Sequence, residues 1–141
     1  MRVVFDTNVL ISALLWGKRL EPIFESINTR RAIPCFSAET IIELRRVLQY
    51  EKIRRQAERI KLDLNLVLKD LLANAHIAKP GEYSDLPPIP EDPTDRMFLA
   101  CAIAAHAEYV VSGDKHLLSV GVYRHVPIVT SMKFIERLET K

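Results

Sequence analysis

The N-terminal segment, residues 2–10, constrains the fold of this 141-residue chain more than any other stretch. Val3, Val4 and Phe5 form an apolar run without polar alternation, which is typical of a strand that is covered on both faces by helices. Asp6 follows this run directly, so it lies at the carboxyl end of the predicted strand, where open α/β sheets bind their ligands. The segment therefore predicts a buried first strand of a parallel sheet, with a carboxylate at its tip.

A second segment, near the other end of the chain, has the same plan. Residues 109–111 are apolar, Ser112 and Gly113 are small, and Asp114 follows them. Because the carboxyl ends of parallel strands share one edge of a sheet, we expect Asp6 and Asp114 to lie close together. A single acid of this kind is equally well explained as the N-cap of the next helix, and it is the repetition that favours a functional site.

Length and composition are those of one globular domain spanning residues 1–141. The chain is 48% hydrophobic and 27% charged, and its apolar stretches are too short to span a membrane. Since the first strand begins at residue 2, no room is left for a signal peptide, and we expect a cytoplasmic protein without a membrane partner. Cys35 and Cys101 lie in apolar segments without a CxxC pattern, which predicts buried free thiols.

The charges are distributed unevenly along the chain, although the net charge is only +2. Residues 45–61 contain seven bases and two acids, whereas residues 82–95 contain five acids and no base. A basic helical segment is suited to a phosphate backbone, and an acidic segment is suited to a cation. The alternative is a solvated helix face with i,i+4 ion pairs, and the charge pattern taken alone favours that interpretation.

The hydrophobic periodicity of the remaining chain predicts an alternation of strands and helices. Further strands are predicted at residues 31–36, 75–78, 109–111 and 126–130, and helices at residues 8–15, 20–27, 38–49, 51–60, 64–74, 92–107, 115–118 and 131–138. Residues 79–93 carry five prolines and form the one long irregular stretch, a kind of loop that is often functional. Pro34 indicates that the second strand lies at an edge of the sheet or contains a bulge.

Three more acids are predicted to lie near the same edge of the sheet. Asp92 is followed by Pro93, as at an N-cap with proline in the first helical position, and Asp95 stands three residues beyond the cap. One of these two acids is explained by capping, but both are not. Glu43 lies six residues past the predicted N-cap Ser37, about 9 Å along the helix axis, close enough to lean over the edge.

The predicted topology delivers four acids to this edge, namely Asp6, Glu43, Asp95 and Asp114. Clustered carboxylates repel one another unless a cation neutralises them. Hard oxygen ligands favour Mg²⁺ or Mn²⁺. Such ions lower the pKa of an attacking water and neutralise charge on a leaving oxygen, so the sequence predicts metal-assisted hydrolysis of a phosphodiester.

The motifs that carry these acids resemble those of the PIN-domain nucleases. The family's order is matched over residues 2–130 by Phe5-Asp6-Thr7-Asn8-Val9-Leu10, Glu43, Asp92-Pro93-Thr94-Asp95 with Phe98-Leu99-Ala100, and Val110-Val111-Ser112-Gly113-Asp114. Within the family, the chain is most similar to the small prokaryotic VapC-like toxins of toxin–antitoxin pairs.

This resemblance implies a three-layer α/β fold with a parallel five-stranded sheet in the order 3-2-1-4-5. It also implies a Mg²⁺- or Mn²⁺-dependent endoribonuclease that cleaves single-stranded RNA and has an antitoxin partner, and it leaves room for a homodimer. The implied metal ligands and catalytic acids are Asp6, Glu43, Asp95 and Asp114, with Asp92 as a further candidate and Asn8 and Ser112 as polar supports. The implied contacts to RNA phosphates are Arg45, Arg46, Lys52, Arg54, Arg55 and Arg59.

Other activities fit the residues less well. A haloacid-dehalogenase-like phosphatase needs a second Asp two residues after Asp6, where this chain has Asn8, and a receiver domain needs adjacent acids after the first strand. Cleavage of RNA by a histidine pair needs converging residues, whereas His76, His106, His116 and His125 are scattered. The remaining alternative is an inactive PIN fold that only binds RNA or a protein, and the retention of all four acids argues against it.

Overall fold

A six-stranded sheet forms the centre of the protein in a computed structural model that describes residues 1–81 and 96–140. Its strands are β1 Arg2–Phe5, β2 Ile33–Phe36, β3 His76–Ile77, β4 Tyr109–Val111, β5 Val122–Tyr123 and β6 Val126–Val129. They are arranged in the order β3-β2-β1-β4-β6-β5, and all neighbours are parallel except β5 and β6. The predicted fold class is confirmed, with β6 as the fifth predicted strand and β5 as an additional antiparallel strand at the edge.

Helices connect the parallel strands. The described residues form α1 Thr7–Leu15, α2 Glu21–Asn28, α3 Ala38–Leu48, α4 Glu51–Arg59, α5 Leu64–Ala73, α6 Arg96–Ala105, α7 Lys115–Val120 and α8 Ser131–Glu139. Five of them are preceded by a polar N-cap residue whose side chain accepts a hydrogen bond from a backbone N–H of the first turn, namely Asp6, Ser37, Asp63, Asp114 and Thr130. None of the helices in the described ranges is long and apolar enough to cross a membrane.

The sheet is covered on both faces, as the apolar first strand predicts. Val3 and Phe5 face one hydrophobic cluster, which also includes residues of α1, α3 and α8, whereas Val4 faces a second cluster built mainly from α6 and α7. Phe134 of α8 is fully buried, and its ring meets those of Phe5 and Tyr109 edge to face at 5.5 and 5.9 Å between centroids. The result is three layers, with the carboxyl ends of the five parallel strands at one edge.

Pro34 does not mark an edge strand, so of the two alternatives for β2, an edge position or a bulge, the edge position is wrong. β2 lies between β1 and β3, so it is an inner strand. The N–H of Ile33 donates to the carbonyl of Met1, which directly precedes β1. The nitrogen of Pro34 therefore points away from β1, toward β3. β3 pairs only with Cys35 and Phe36, and therefore the missing N–H of Pro34 lies where no ladder bond is required.

Cys35 and Cys101 are buried free thiols, as predicted from their apolar surroundings. Both belong to the hydrophobic cluster that α6, which includes Cys101, forms against the sheet. Burial is the main cause that raises the pKa of Cys35 to about 11 and that of Cys101 to about 12. At neutral pH both side chains are therefore protonated thiols, which are poor nucleophiles.

The loop between β5 and β6 is a strained two-residue turn. Arg124 and His125 have φ values of 47° and 70°, the left-handed region that a type I′ turn requires and that Asn-Gly adopts with least strain. We expect replacement of the pair by Asn-Gly to raise the free energy of unfolding by about 1–2 kcal/mol in urea denaturation. An Ala-Ala variant, which loses the same side chains but keeps the strain, is the control, and equal stability of the two variants would contradict the prediction.

Candidate functional site

Two of the predicted site acids lie at the tips of adjacent strands. β1 and β4 are neighbours in the sheet, with Phe5 opposite Val111. The backbone N–H of Asp6 donates to the carbonyl of Val111 at 3.0 Å, so the ends of β1 and β4 lie next to each other. Asp114 follows three residues after Val111. The parallel topology thus places Asp6 and Asp114 at the carboxyl edge of the sheet.

Asp6 is a buried carboxylate with both oxygens engaged. It is the N-cap of α1, where Oδ1 accepts a hydrogen bond from the N–H of Val9 at 2.8 Å, and Oδ2 accepts one from the hydroxyl of Ser112. Only 5% of its surface is exposed. Burial raises the pKa of Asp6, the charge of Asp114 adds to the rise, and the bonds from Ser112 and Val9 oppose it.

Ser112 joins the two acids. Its side chain is fully buried, its hydroxyl donates to Asp6, and the same oxygen accepts the backbone N–H of Asp114 at 2.9 Å. The hydroxyl therefore fixes the Asp6 side chain relative to the backbone at Asp114. Both bonds are buried or partly buried, which makes this link hard to replace with water.

Asp114 is partly buried and begins α7. Its Oδ1 accepts hydrogen bonds from the N–H groups of His116 at 2.7 Å and Leu117 at 3.4 Å. Within the described ranges no group donates to its Oδ2. One oxygen of Asp114 is thus committed to the helix, and the other is left for a further ligand.

Two further predicted residues, Glu43 and Asn8, form no hydrogen bond with Asp6 or Asp114 in the part of the chain that the structure describes. Glu43 accepts two hydrogen bonds from the guanidinium of Arg46, at 2.6 and 3.2 Å, and Arg46 lies one turn further along α3. Asn8 is exposed in the first turn of α1, and no described residue forms a hydrogen bond with its side chain. Asp92 and Asp95, the remaining predicted acids, lie outside the described residues.

The sequence matches the family model of the PIN domain over residues 2–116. That match includes β1, α3, β4 and both of the acids that Ser112 joins. The chain belongs to the PIN-domain family. The resemblance drawn from the sequence motifs is therefore confirmed, and because PIN domains are generally nucleases, membership supports a hydrolase acting on nucleic acid.

Solved structures share the fold of this PIN domain. A chain of VapBC2 from Rickettsia felis, crystallised with a DNA fragment from their promoter, has a TM-score of 0.61 at 14% identity, covering 92% of this chain and 98% of that one. PAE2754 from Pyrobaculum aerophilum has a TM-score of 0.54 at 16% identity, covering 99% of this chain and 90% of that one. At these identities the likeness concerns the fold. No curated protein matches the sequence.

The two acids of this PIN domain fit a divalent cation in their chemistry. They are hard oxygen donors, and in the described ranges no Lys, Arg or His side chain forms an ion pair with either of them. Two neighbouring carboxylates, one of them buried, are destabilised without a counter-charge. The described residues hold no group of three or more His, Cys, Asp or Glu side chains that could bind a metal together, so Asp6 and Asp114 would form only part of a complete site.

The predicted RNA contacts do not form one surface. Lys52, Arg55 and Arg59 lie on one face of α4, spaced as i, i+3 and i+7. Arg45 and Arg54 line a separate cavity of about 780 Å³ beside α5. Arg46 is engaged with Glu43 and with the hydroxyl of Tyr50.

One exposed aromatic residue next to α4 was missed at the sequence level. Trp16 is the only tryptophan of the chain, it ends α1, and half of its surface is exposed. The ammonium of Lys52 lies 5.6 Å from the centre of its ring. The signal in the sequence is a tryptophan followed by Gly-Lys-Arg, which is an unusual setting for a core residue.

Proposed function

We propose that this PIN domain is a Mg²⁺- or Mn²⁺-dependent endoribonuclease that cleaves single-stranded RNA as the toxin of a toxin–antitoxin pair. The observation that carries the proposal is the pair of carboxylates, Asp6 and Asp114, which Ser112 joins at the carboxyl edge of the sheet without a cationic partner among the described residues. In a member of the PIN family, such a pair is best explained as part of a metal site.

Asp6 and Asp114 would hold the metal together with Asp95 and Glu43, and with Asp92 as the alternative to Asp95. The bonds that Asp6 already accepts leave each oxygen a second lone pair. Ser112 orients Asp6, and Asn8, exposed at the start of α1, would be a further polar support for the carboxylates. When bound, the ion would lower the pKa of the attacking water and neutralise charge on the leaving oxygen.

Glu43 would reach the metal by releasing Arg46. Its carboxylate is only slightly exposed, whereas the guanidinium of Arg46 is mostly in solvent. An ion pair with such an exposed partner is weakened by water and salt, so a divalent cation can compete for the carboxylate. Release of Arg46 would also free a cation for an RNA phosphate.

RNA phosphates would contact exposed cations on more than one face of α3 and α4. The exposed cations of α3 and α4 supply the charge that holds a phosphate backbone, and they comprise Arg45, Arg46, Lys52, Arg54, Arg55 and Arg59. Arg55 is paired with Glu51 at 2.5 Å, but both side chains are mostly exposed, so this pair also exchanges readily for a phosphate.

A protein partner is part of the proposal. The R. felis chain of similar fold comes from VapBC2 bound to a DNA fragment from their promoter. By analogy of fold, we propose that an antitoxin encoded next to this gene binds the protein and holds it inactive in the cytoplasm. Induced expression of the protein alone should then stop bacterial growth, and coexpression of the neighbouring reading frame should restore it.

The nuclease proposal is tested with purified protein and an end-labelled RNA oligonucleotide. We expect internal cleavage with Mg²⁺ or Mn²⁺ and none in EDTA, because the paired carboxylates repel a phosphate unless a cation lies between them. Single-stranded DNA and duplex RNA of the same sequence should be cleaved less. Cleavage that persists in EDTA would contradict the proposal, and RNA binding without cleavage in either metal would support the inactive, binding-only alternative.

A further inference from the structure

We infer that Trp16, with Lys52, Arg55 and Arg59, forms a second RNA-binding surface on which an unpaired base stacks. We name these four residues the Trp16 surface, and their proposed role rests on the proposed RNA substrate. The surface adds a binding site that lies away from the paired acids and has a different chemistry. Its elements are the carboxyl end of α1 and one face of α4.

The Trp16 surface is held in place by a side chain of α4. Gln56 donates from its Nε2 to the carbonyl of Leu15 at 3.0 Å, which ties α4 to the last turn of α1. Its Oε1 accepts a hydrogen bond from Arg59 at 3.4 Å. A Cβ added to Gly17 would lie 2.6 Å from the carbonyl of Ser12, so the chain turns back tightly just after Trp16. The indole is therefore mounted on a fixed backbone beside α4.

The surface combines an aromatic ring with positive charge. Trp16 is 50% exposed, and Lys52 lies against its ring. A shallow cavity of about 410 Å³ is lined by Trp16, Glu51, Lys52, Arg55, Gln56 and Arg59. Three cations face one acid there, so the patch is positive, and a cavity of this size is within the range that accommodates a small ring system.

Single-stranded RNA is the occupant that this chemistry fits. Phosphates match the three cations, and a base stacks on an indole only when it is not paired, since a duplex hides its faces. The Lys52 ammonium can move from the ring to a phosphate, because a cation–π contact at an exposed site is weak. An acidic peptide would use the cations but not the indole.

The position of the surface assigns it to binding rather than to cleavage. Asp6 is the N-cap of α1 and Trp16 its C-cap, and the ten steps between them correspond to about 15 Å along the helix axis. A base on Trp16 therefore belongs to a nucleotide away from the cleaved bond. Changes at Trp16 are expected to raise the KM for a long RNA and to leave kcat unchanged.

The test uses metal-free protein in EDTA, so that RNA binds without being cleaved. Trp16 is the only tryptophan, and its fluorescence reports on this surface alone. We expect a mixed-sequence RNA oligonucleotide to quench it saturably, whereas inorganic polyphosphate of equal charge should not. Binding of labelled RNA, followed by anisotropy, should weaken at least about fivefold for Trp16→Leu, and Trp16→Phe should keep most of the affinity.

Charge is controlled with a matched pair of variants. Arg59→Ala should weaken RNA binding and flatten its salt dependence, because a phosphate contact is lost. Lys133→Ala removes the same charge from α8, which contributes no residue to the cavity lined by Trp16, and should do neither. Equal effects of the two variants would show that only net charge matters and would overturn the inference.

Failure of this inference can be told apart from failure of the proposed function. The Trp16 surface alone is overturned if RNA is cleaved with metal, does not quench Trp16 fluorescence, and binds Trp16→Leu as tightly as it binds the wild type. RNA that neither binds nor is cleaved overturns the substrate as well. Quenching by polyglutamate to the same extent as by RNA would assign the surface to an acidic protein segment instead.

Discussion

Replacement of Asp6 by Asn is expected to lower the rate of RNA cleavage at least about 100-fold while the fold stays intact. The fold should persist because Asn caps a helix about as well as Asp, so the bond from the Val9 N–H to the side chain is kept. The amide nitrogen can face the Ser112 oxygen, which accepts as well as donates. What is lost is the negative charge that a metal ion requires.

A matched control separates this loss from any effect of the substitution on helix capping. Asp63 is also an N-cap, accepting the N–H of Leu66 at 3.2 Å at the start of α5. Asp63→Asn makes the same chemical change at a helix start away from the strand tips, and it should leave cleavage unchanged. Circular dichroism and the melting temperature of both variants verify the fold. An unfolded Asp6→Asn protein, or equal activity losses in the two variants, would return Asp6 to a purely structural role.

The structure shows why the two interpretations of Asp6 from the sequence were not true alternatives. From the sequence, capping and a functional site are competing explanations of Asp6, yet Asp6 caps α1 and is also linked through Ser112 to the backbone of the second acid. Asp114 does the same at α7. When a helix directly follows a strand that ends in an acid, that acid is both the N-cap of the helix and a group at the carboxyl edge of the sheet. The fold could be predicted because this pattern is local and occurs twice.

Other features depend on contacts that are distant in sequence or on a choice between neighbours. Glu43 could be placed on its helix, but the helical period does not decide whether its carboxylate turns to the sheet edge or to Arg46. The edge position that Pro34 suggested for β2 was wrong, because the strand that covers that side of β2 is β3, which has only two residues. Trp16 contacts Lys52, which is 36 positions away in the sequence, and no local pattern around either residue predicts this contact. Side-chain partners of this kind follow from packing rather than from pattern.

The second large effect is expected in the melting temperature of the wild-type protein. A ligand that binds only the folded state stabilises it by RT ln(1 + [L]/Kd), which is about 2.7 kcal/mol at a concentration 100 times Kd. For a chain of this size, that corresponds to a rise of roughly 10 °C in Tm. We therefore expect Mn²⁺ or Mg²⁺ to raise the Tm of metal-free protein, as measured by scanning calorimetry.

Asp6→Asn decides where the metal acts. In EDTA this variant should melt no lower than the wild type, because the cap is kept and a buried charge that faces Asp114 has been removed. Added metal should then raise its Tm little, since the site has lost a carboxylate ligand. A full rise in the variant would place the bound ion elsewhere, and the five acids of residues 82–95 would be the next candidates. Because the readout is stability, the result holds whichever nucleic acid the protein cleaves.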